Sequence, residues 1–202
     1  MQIDPKKMYS VDDLTEEQAY KLGSSLIAPR PIGWIGTRSA AGNTNLAPYS
    51  FFNMVSSYPP TFVVGPRVTD RRDTLANIEA TGEFTVNVVN EDTLQAMNAT
   101  ASAFPEDESE FDHCGLTEVD AETINAPMVG EAIANFECKV FQLVPVGSSM
   151  LVIGVASRIH IAERILGDNF HVHQDRLHAI GRHAGGLYSR TASTLFEVER
   201  PD

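Results

Sequence analysis

Cysteine is scarce, with two residues in 202, Cys114 and Cys138. One disulfide at most can form, too few to staple a small secreted scaffold. Apolar runs long enough to cross a bilayer are missing as well. The best candidate, Val140 to Ser157, is uncharged and mostly apolar, but Pro145, Gly147, Ser148 and Ser149 break it, and about 20 unbroken apolar residues are needed. No Gly-x-Gly-x-x-Gly fingerprint follows a strand, and no loop ends in Gly-Lys-Ser/Thr. Neither Gly-x-Ser-x-Gly nor Cys-x-x-Cys occurs. The dinucleotide fold, the phosphate loop, the serine nucleophile elbow and the paired-thiol redox motif are therefore not announced. No apolar run follows the opening Met-Gln-Ile-Asp-Pro-Lys-Lys, so no signal peptide and a cytoplasmic location are expected.

Positive charge is the other shortage. There are 15 Lys and Arg against 27 Asp and Glu, a formal charge of −12. Nucleic-acid backbones and anionic membranes are gripped by clustered cations, so neither is an expected partner. The deficit is local. From Leu75 to Cys138 there are fourteen acids and no Lys or Arg, whereas Arg30 to Thr74 holds five Arg and two Asp, a net +3. A small anion could bind in that cationic stretch.

Hydrophobic residues make up 43% and charged residues 21% of the chain, enough apolar material for a packed core. The length predicts a single domain over 1–202, with residues 1–20 as an N-terminal extension or helix. Val11 to Leu22 reads as a short amphipathic helix, and Pro31 to Thr37 and Thr61 to Val64 as strands. Asp70 to Thr81 reads as a helix that Thr69 or Asp70 caps and Gly82 stops. Phe84 to Val89 alternates as a strand, and Asn90 caps a further helix bearing Leu94 and Met97. Phe104 to Glu122 is acidic and turn-rich, a surface excursion. Ile133 to Val146 and Met150 to Ile161 form a β-branched hairpin, and Thr194 to Val198 is one more strand. The pattern is mostly β with added helices, an antiparallel barrel rather than a doubly wound α/β fold.

Two segments carry chemistry. Asn45 to Pro60 sets Asn45, Ser50, Asn53 and Ser56 among Tyr49, Phe51, Phe52 and Tyr58. Directed polar groups suit the edge of a planar heteroaromatic ligand and apolar side chains its faces. The same composition also fits a barrel strand with ordinary buried polar groups. Arg71-Arg72-Asp73-Thr74 at a helix start suits an anion, through unpaired backbone N–H groups and the helix dipole, or is simply a capped helix with solvated arginines.

Several blocks together resemble the flavin reductase-like family. They are Pro29-Arg-Pro-Ile-Gly-Trp-Ile-Gly-Thr37, Asn45-Leu-Ala-Pro-Tyr-Ser-Phe-Phe-Asn53, Ser56 to Pro60, Arg72-Asp-Thr74, Gly82-Glu-Phe-Thr-Val-Asn-Val88, Ala96-Met-Asn-Ala99 and Gly181-Arg-His-Ala-Gly-Gly-Leu-Tyr188. The resemblance covers about residues 20–200 in matching order. It implies an FMN-binding split β-barrel, a homodimer with flavin near the subunit interface. Asn45, Leu46, Ala47, Pro48, Tyr49, Ser50, Phe52 and Asn53 would lie along the flavin ring. Thr37, Arg72 and Thr74 would meet the phosphate and ribityl chain, Asp73 would orient that turn, and Arg30 and Ser56 would be neighbours. Gly185, Gly186 and Tyr188 would approach from a later loop.

The implied cofactor is FMN in preference to FAD, with hydride from NADH or NADPH passed to the flavin, and no catalytic side chain is required. Small stand-alone reductases resembled here often carry a Gly-Arg-x-x-His loop for the nicotinamide. Gly181-Arg182-His183 departs from it, which leaves two alternatives open. One is a flavoredoxin-like electron carrier that receives electrons from a redox protein partner. The other is a non-catalytic ligand-binding barrel. His171, His173 and His178 resemble a metal cluster, but no nearby Asp, Glu or Cys completes one, so no metal is expected. Trp34 and Cys138 read as core, and His113-Cys114 lacks an orienting acid.

Overall fold

The computed structural model describes residues 3–68, 73–105 and 108–199. An N-terminal helix, α1 (Glu16–Leu26), leads into β1 (Gly33–Arg38), β2 (Thr44–Tyr49), β3 (Phe52–Ser57) and β4 (Pro60–Val64). Helix α2 (Asp73–Thr81), β5 (Glu83–Val88), α3 (Leu94–Ala99) and α4 (Glu110–Cys114) follow, then the short strands β6 (Glu118–Asp120) and β7 (Pro127–Val129). The long hairpin β8 (Ala134–Val146) and β9 (Ser149–Ile161) precedes α5 (Gln174–Leu177), β10 (Ile180–Arg182) and β11 (Tyr188–Arg190).

Seven strands form one antiparallel sheet in the order β2-β1-β5-β8-β9-β4-β3. Its two outermost strands, β2 and β3, are joined by Ser50 and Phe51 alone. The Cα atoms of Tyr49 and Phe52 are three steps apart, so the link can span no more than about 11 Å. Opposite edges of a seven-stranded sheet can approach that closely only if the sheet curls round on itself. The sheet is therefore a barrel with one seam, between β2 and β3, where no ladder forms: a split β-barrel. Gly33 on β1 helps it close, since a Cβ there would lie 2.5 Å from Cδ2 of Phe52.

The strand period of two sends alternate residues of β1 into two cores. Ile35 joins Phe62, Val64, Phe84, Val86, Cys138 and Val152, with Leu75 and Ile78 of α2 closing one end. Trp34 joins Leu46, Val89, Met97, Phe111, Val129 and Ile180 on the other side. Its indole N–H donates to Thr100 Oγ1 at 2.9 Å. Both Trp34 and Cys138 are core residues.

Four elements differ from the sequence reading. The first helix begins at Glu16, because Thr15 and Gln18 form a reciprocal capping box, and Val11–Asp13 is a separate 3-10 turn. The excursion is not all surface: Phe111 packs in the second core and Glu110 is buried with it. Residues 195–199 are neither strand nor helix. Asn45 to Pro60 is two strands on opposite edges of the sheet, β2 and β3, with Pro60 opening β4. The long hairpin and the Gly82 stop, with φ +69 and its N–H donating to Ile78 O, stand as expected. The proposed caps Thr69 and Asp70 lie outside the described residues. Asn90 instead closes a turn ahead of α3, its side chain accepting the Thr93 N–H at 3.2 Å.

Candidate functional site

Three cavities meet at the β2–β3 link, and Tyr20 and Ser50 border all of them. One of about 430 Å³ lies between α1 and the link, against Arg30, Phe52 and Asn53. A second of about 250 Å³ runs from Pro48 and Tyr49 to Gly65, Pro66 and Arg67. A third of about 160 Å³ continues past Pro48 and Tyr49 to Asn98, Arg182 and Tyr188. Helix α1 forms one wall, its Tyr20 ring tilted against Phe51 at 6.2 Å between centroids. An ion pair from Arg67 to Glu16 at 2.6 Å fixes the same helix to the loop after β4.

Strand β2 supplies a free edge beside these cavities. Its inner edge pairs with β1, and among the described residues no strand pairs with its outer edge. The Leu46 N–H points outward, donating to Glu110 Oε2 at 3.0 Å. By the alternation of an antiparallel strand the backbone of Pro48 faces the same way, and Pro48 has no N–H. That edge therefore offers carbonyl acceptors next to Tyr49 and Ser50.

Beneath the edge lies a buried polar knot. Asn45 Nδ2 donates to Thr74 Oγ1 at 2.8 Å and to Thr37 Oγ1 at 3.3 Å, and Asn77 Nδ2 donates to Thr37 Oγ1 at 3.1 Å. β1, β2 and the first turns of α2 are tied together there, and both threonines are fully buried. Asp73 borders an adjoining polar chamber of about 180 Å³ with Asn45, Asn77 and Glu110. Burial pushes the Glu110 carboxyl up from its ordinary value, partly countered by the Leu46 N–H.

The residues that the resemblance implied thus fall into groups. Pro48, Tyr49, Ser50, Phe52, Asn53, Arg30 and Tyr188 border the three cavities. Thr37, Asn45 and Thr74 form the knot, and Leu46 and Ala47 are buried beside it. Ser56 stands apart on β3, its hydroxyl directed to Tyr58 O. Gly185 and Gly186 sit exposed in the β10–β11 turn, Gly185 at φ +58. Arg72 lies outside the described residues.

Tyr20, Arg67, Asn77, Asn98 and Arg182 were not picked out as site residues from sequence. Sequence signals exist for three of them: Arg67 lies in the cationic stretch, and Asn98 and Arg182 lie in the blocks Ala96 to Ala99 and Gly181 to Tyr188. The Arg182 guanidinium lies over the Tyr188 ring at 4.5 Å, and the Tyr188 hydroxyl donates to Asn98 Oδ1 at 3.3 Å. Among the described residues no three His, Cys, Asp or Glu side chains converge on a metal-sized space. No helix there is long and apolar enough to cross a membrane.

Residues 25–181 match the family described as flavin reductase like domain. The chain belongs to the flavin reductase-like family. An uncharacterized protein of Aquifex aeolicus is 37% identical over 183 residues, covering 89% of this chain and 93% of that one. The crystal structure of nitrilotriacetate monooxygenase component B from Bacillus cereus superposes with a TM-score of 0.92 at 32% identity, over 97% of this chain and all of that one. Pseudomonas fluorescens 2-nitrobenzoate 2-nitroreductase NbaA superposes with a TM-score of 0.88 at 28% identity, over 96% of each chain. The family's flavin asks for apolar cover on two ring faces and for donors and acceptors along one edge. The groove fits that demand, with Tyr20, Tyr49, Phe51 and Tyr188 at its borders, carbonyl acceptors on the free edge of β2 and a hydroxyl donor on Ser50.

Proposed function

We propose that the chain binds FMN non-covalently along the β2–β3 link and is a flavin reductase that takes hydride from NADH or NADPH. The observation that carries this reading is the aromatic-bordered groove running beside an unpaired strand edge, in a chain of this family. When bound, the flavin supplies a ring that accepts and passes on hydride. The protein's part is to hold, orient and shield. The backbone of β2 from Leu46 to Pro48, with Ser50, would hold the polar edge of the ring. Tyr20 and Tyr49 would exclude water from its faces. Arg72, five residues beyond the groove residue Arg67, would bind the phosphate together with Thr74, with Asp73 orienting the turn. Either a Lys or an Arg serves a phosphate at that position, and Arg adds planar two-point contact. No side-chain acid, base or nucleophile is needed.

A homodimer belongs to this reading. Met54, Val55 and Tyr58 on and after β3 are exposed apolar residues next to the seam, as a subunit interface there requires. A cytoplasmic location belongs to it too. The second reading is an FMN-bound electron carrier served by a redox protein. What favours it is the sequence Gly181-Arg182-His183-Ala184 in place of the Gly-Arg-x-x-His loop.

Two experiments separate the readings. Titration with FMN, FAD and riboflavin tests the flavin itself, and a purified chain that binds none of them sinks both. Anaerobic mixing of the FMN-loaded chain with NADH or NADPH then decides the role. Bleaching of the flavin band near ~450 nm supports the reductase. An unbleached flavin that a protein donor does reduce supports the carrier.

A further inference from the structure

We propose that the cavity between α1 and the β2–β3 link binds a small carboxylate with an apolar body, its carboxylate held against Arg30. This goes beyond the flavin reading and does not depend on it.

Arg30 is a buried cation, 6% exposed. Nε donates to Ser50 Oγ at 3.3 Å, Nη1 to Ile27 O at 2.8 Å and to Ser24 O, and Nη2 to His183 O at 3.2 Å. These bonds use four of the five guanidinium N–H groups, and every acceptor is neutral. The carbonyls of Ser24 and Ile27 belong to the C-terminal end of α1, whose dipole amounts to roughly half a negative charge. The other half of the cation is unanswered. Among the described residues no carboxylate pairs with Arg30, although the more exposed Arg67 and Arg190 each hold one and Arg38 holds two. A buried charge without a counter-charge is costly, and an anion arriving beside it recovers that cost.

The cavity that Arg30 borders is shaped for such an anion. Its volume, about 430 Å³, lies within the range of small-molecule sites. Ile27, Pro29, Pro31, Phe51 and Phe52 give it apolar walls, Ser50 meets the cation, and Asn53 is a further polar side chain in the lining. Among the described residues no Asp or Glu lines it, in a chain that carries 27 of them. The combination selects one negative charge on an apolar, flat or branched body, and rejects polyanions and cations. The ligand would share Tyr20, Ser50 and Phe51 with the adjoining groove.

The test uses the full chain freed of flavin, titrated calorimetrically with sodium benzoate and with benzyl alcohol, its neutral counterpart, at matched ionic strength. Benzoate is expected to bind saturably, one per chain and at least tenfold tighter than benzyl alcohol, and Arg30→Met to weaken it at least tenfold. Because Arg30 also ties α1 to the barrel, a second variant guards against misfolding. A Cβ at Gly23 would meet nothing within 4 Å, and Gly23 borders the cavity. Gly23→Leu is therefore expected to fill the cavity and abolish benzoate binding, while thermal stability is kept. Equal affinity for benzoate and benzyl alcohol, or undiminished benzoate binding by Gly23→Leu, overturns the proposal. FMN titration of the same preparations separates the two readings. Benzoate binding without FMN binding would remove the flavin reading and leave this one intact.

Discussion

Glu137 sits fully buried on β8, among groups that favour its ionised form. Burial pushes its carboxyl up. Hydrogen bonds from the Thr123 hydroxyl, from the backbone N–H groups of Glu122 and Thr123 and from His160 outweigh this, leaving it at about 2. A depressed acid stabilises the fold above its unfolded value of 4.5, and that contribution disappears as pH falls through the folded value. Urea unfolding should show wild type losing about 3 kcal/mol between those limits beyond the loss in Glu137→Gln. Parallel curves would show that Glu137 is not held ionised. Glu110 runs the opposite way, since its value is raised. Its charge costs stability above the folded value and nothing below about 4.5. Glu110→Gln keeps an acceptor for the Leu46 N–H, so it should be as stable as wild type or more so at pH 7, with the advantage vanishing in acid. For Arg72, substitution by Ala should weaken FMN by ~1.5–3 kcal/mol and leave riboflavin little changed, because only FMN carries a phosphate. Equal losses would assign Arg72 to the fold.

At the scale of elements, close approaches decide where strands can sit. The Phe84 ring of β5 occupies the space where a side chain on Gly154 of β9 would project. Gly154→Val should therefore cost at least the ~1–3 kcal/mol typical of overpacking, read as a lower urea midpoint with an unchanged slope. The hairpin, β5 and the end of α2 were legible from sequence because β-branched runs and one glycine mark them unambiguously. The break within Asn45 to Pro60 was not. Ser50-Phe51 carries neither Gly nor Pro, so the segment reads as one strand although the chain passes from one sheet edge to the other. Glu110 and Phe111 were hidden among acids, where one apolar residue gives no period. The resemblance picked out Thr37, Asn45 and Thr74 as flavin contacts, not as partners of one another; the bonds among them, and Asn77's share through the helix geometry of α2, come from the structure. Tyr20 was out of reach, because what an N-terminal helix packs on is set by tertiary contact rather than by its own pattern.

For the whole molecule, the sequence charge is divided by position. The stretch without Lys or Arg, Leu75 to Cys138, supplies the acidic chamber behind β2, with Glu108 and Glu110. The cationic stretch supplies Arg30 and Arg67 to the seam. A soluble preparation should elute as a dimer on light-scattering chromatography. Tyr58→Glu with Val55→Glu, both at exposed positions, should shift it to monomer, and a wild-type monomer would remove the dimer from the proposal.

The seam also makes the barrel a clasp that a guest can fasten. Its two edges are joined covalently by Ser50 and Phe51 and by no strand ladder; the groove takes a wall from β2 at Pro48 and Tyr49, and the adjoining cavity takes one from β3 at Phe52 and Asn53. A molecule seated across the two would touch both edges and supply the bridge that the missing ladder does not. Amide exchange in β2 and β3 should therefore slow on loading, while β8 and β9 change little. Occupancy would then be read as tightening of the barrel itself, before any electron moves.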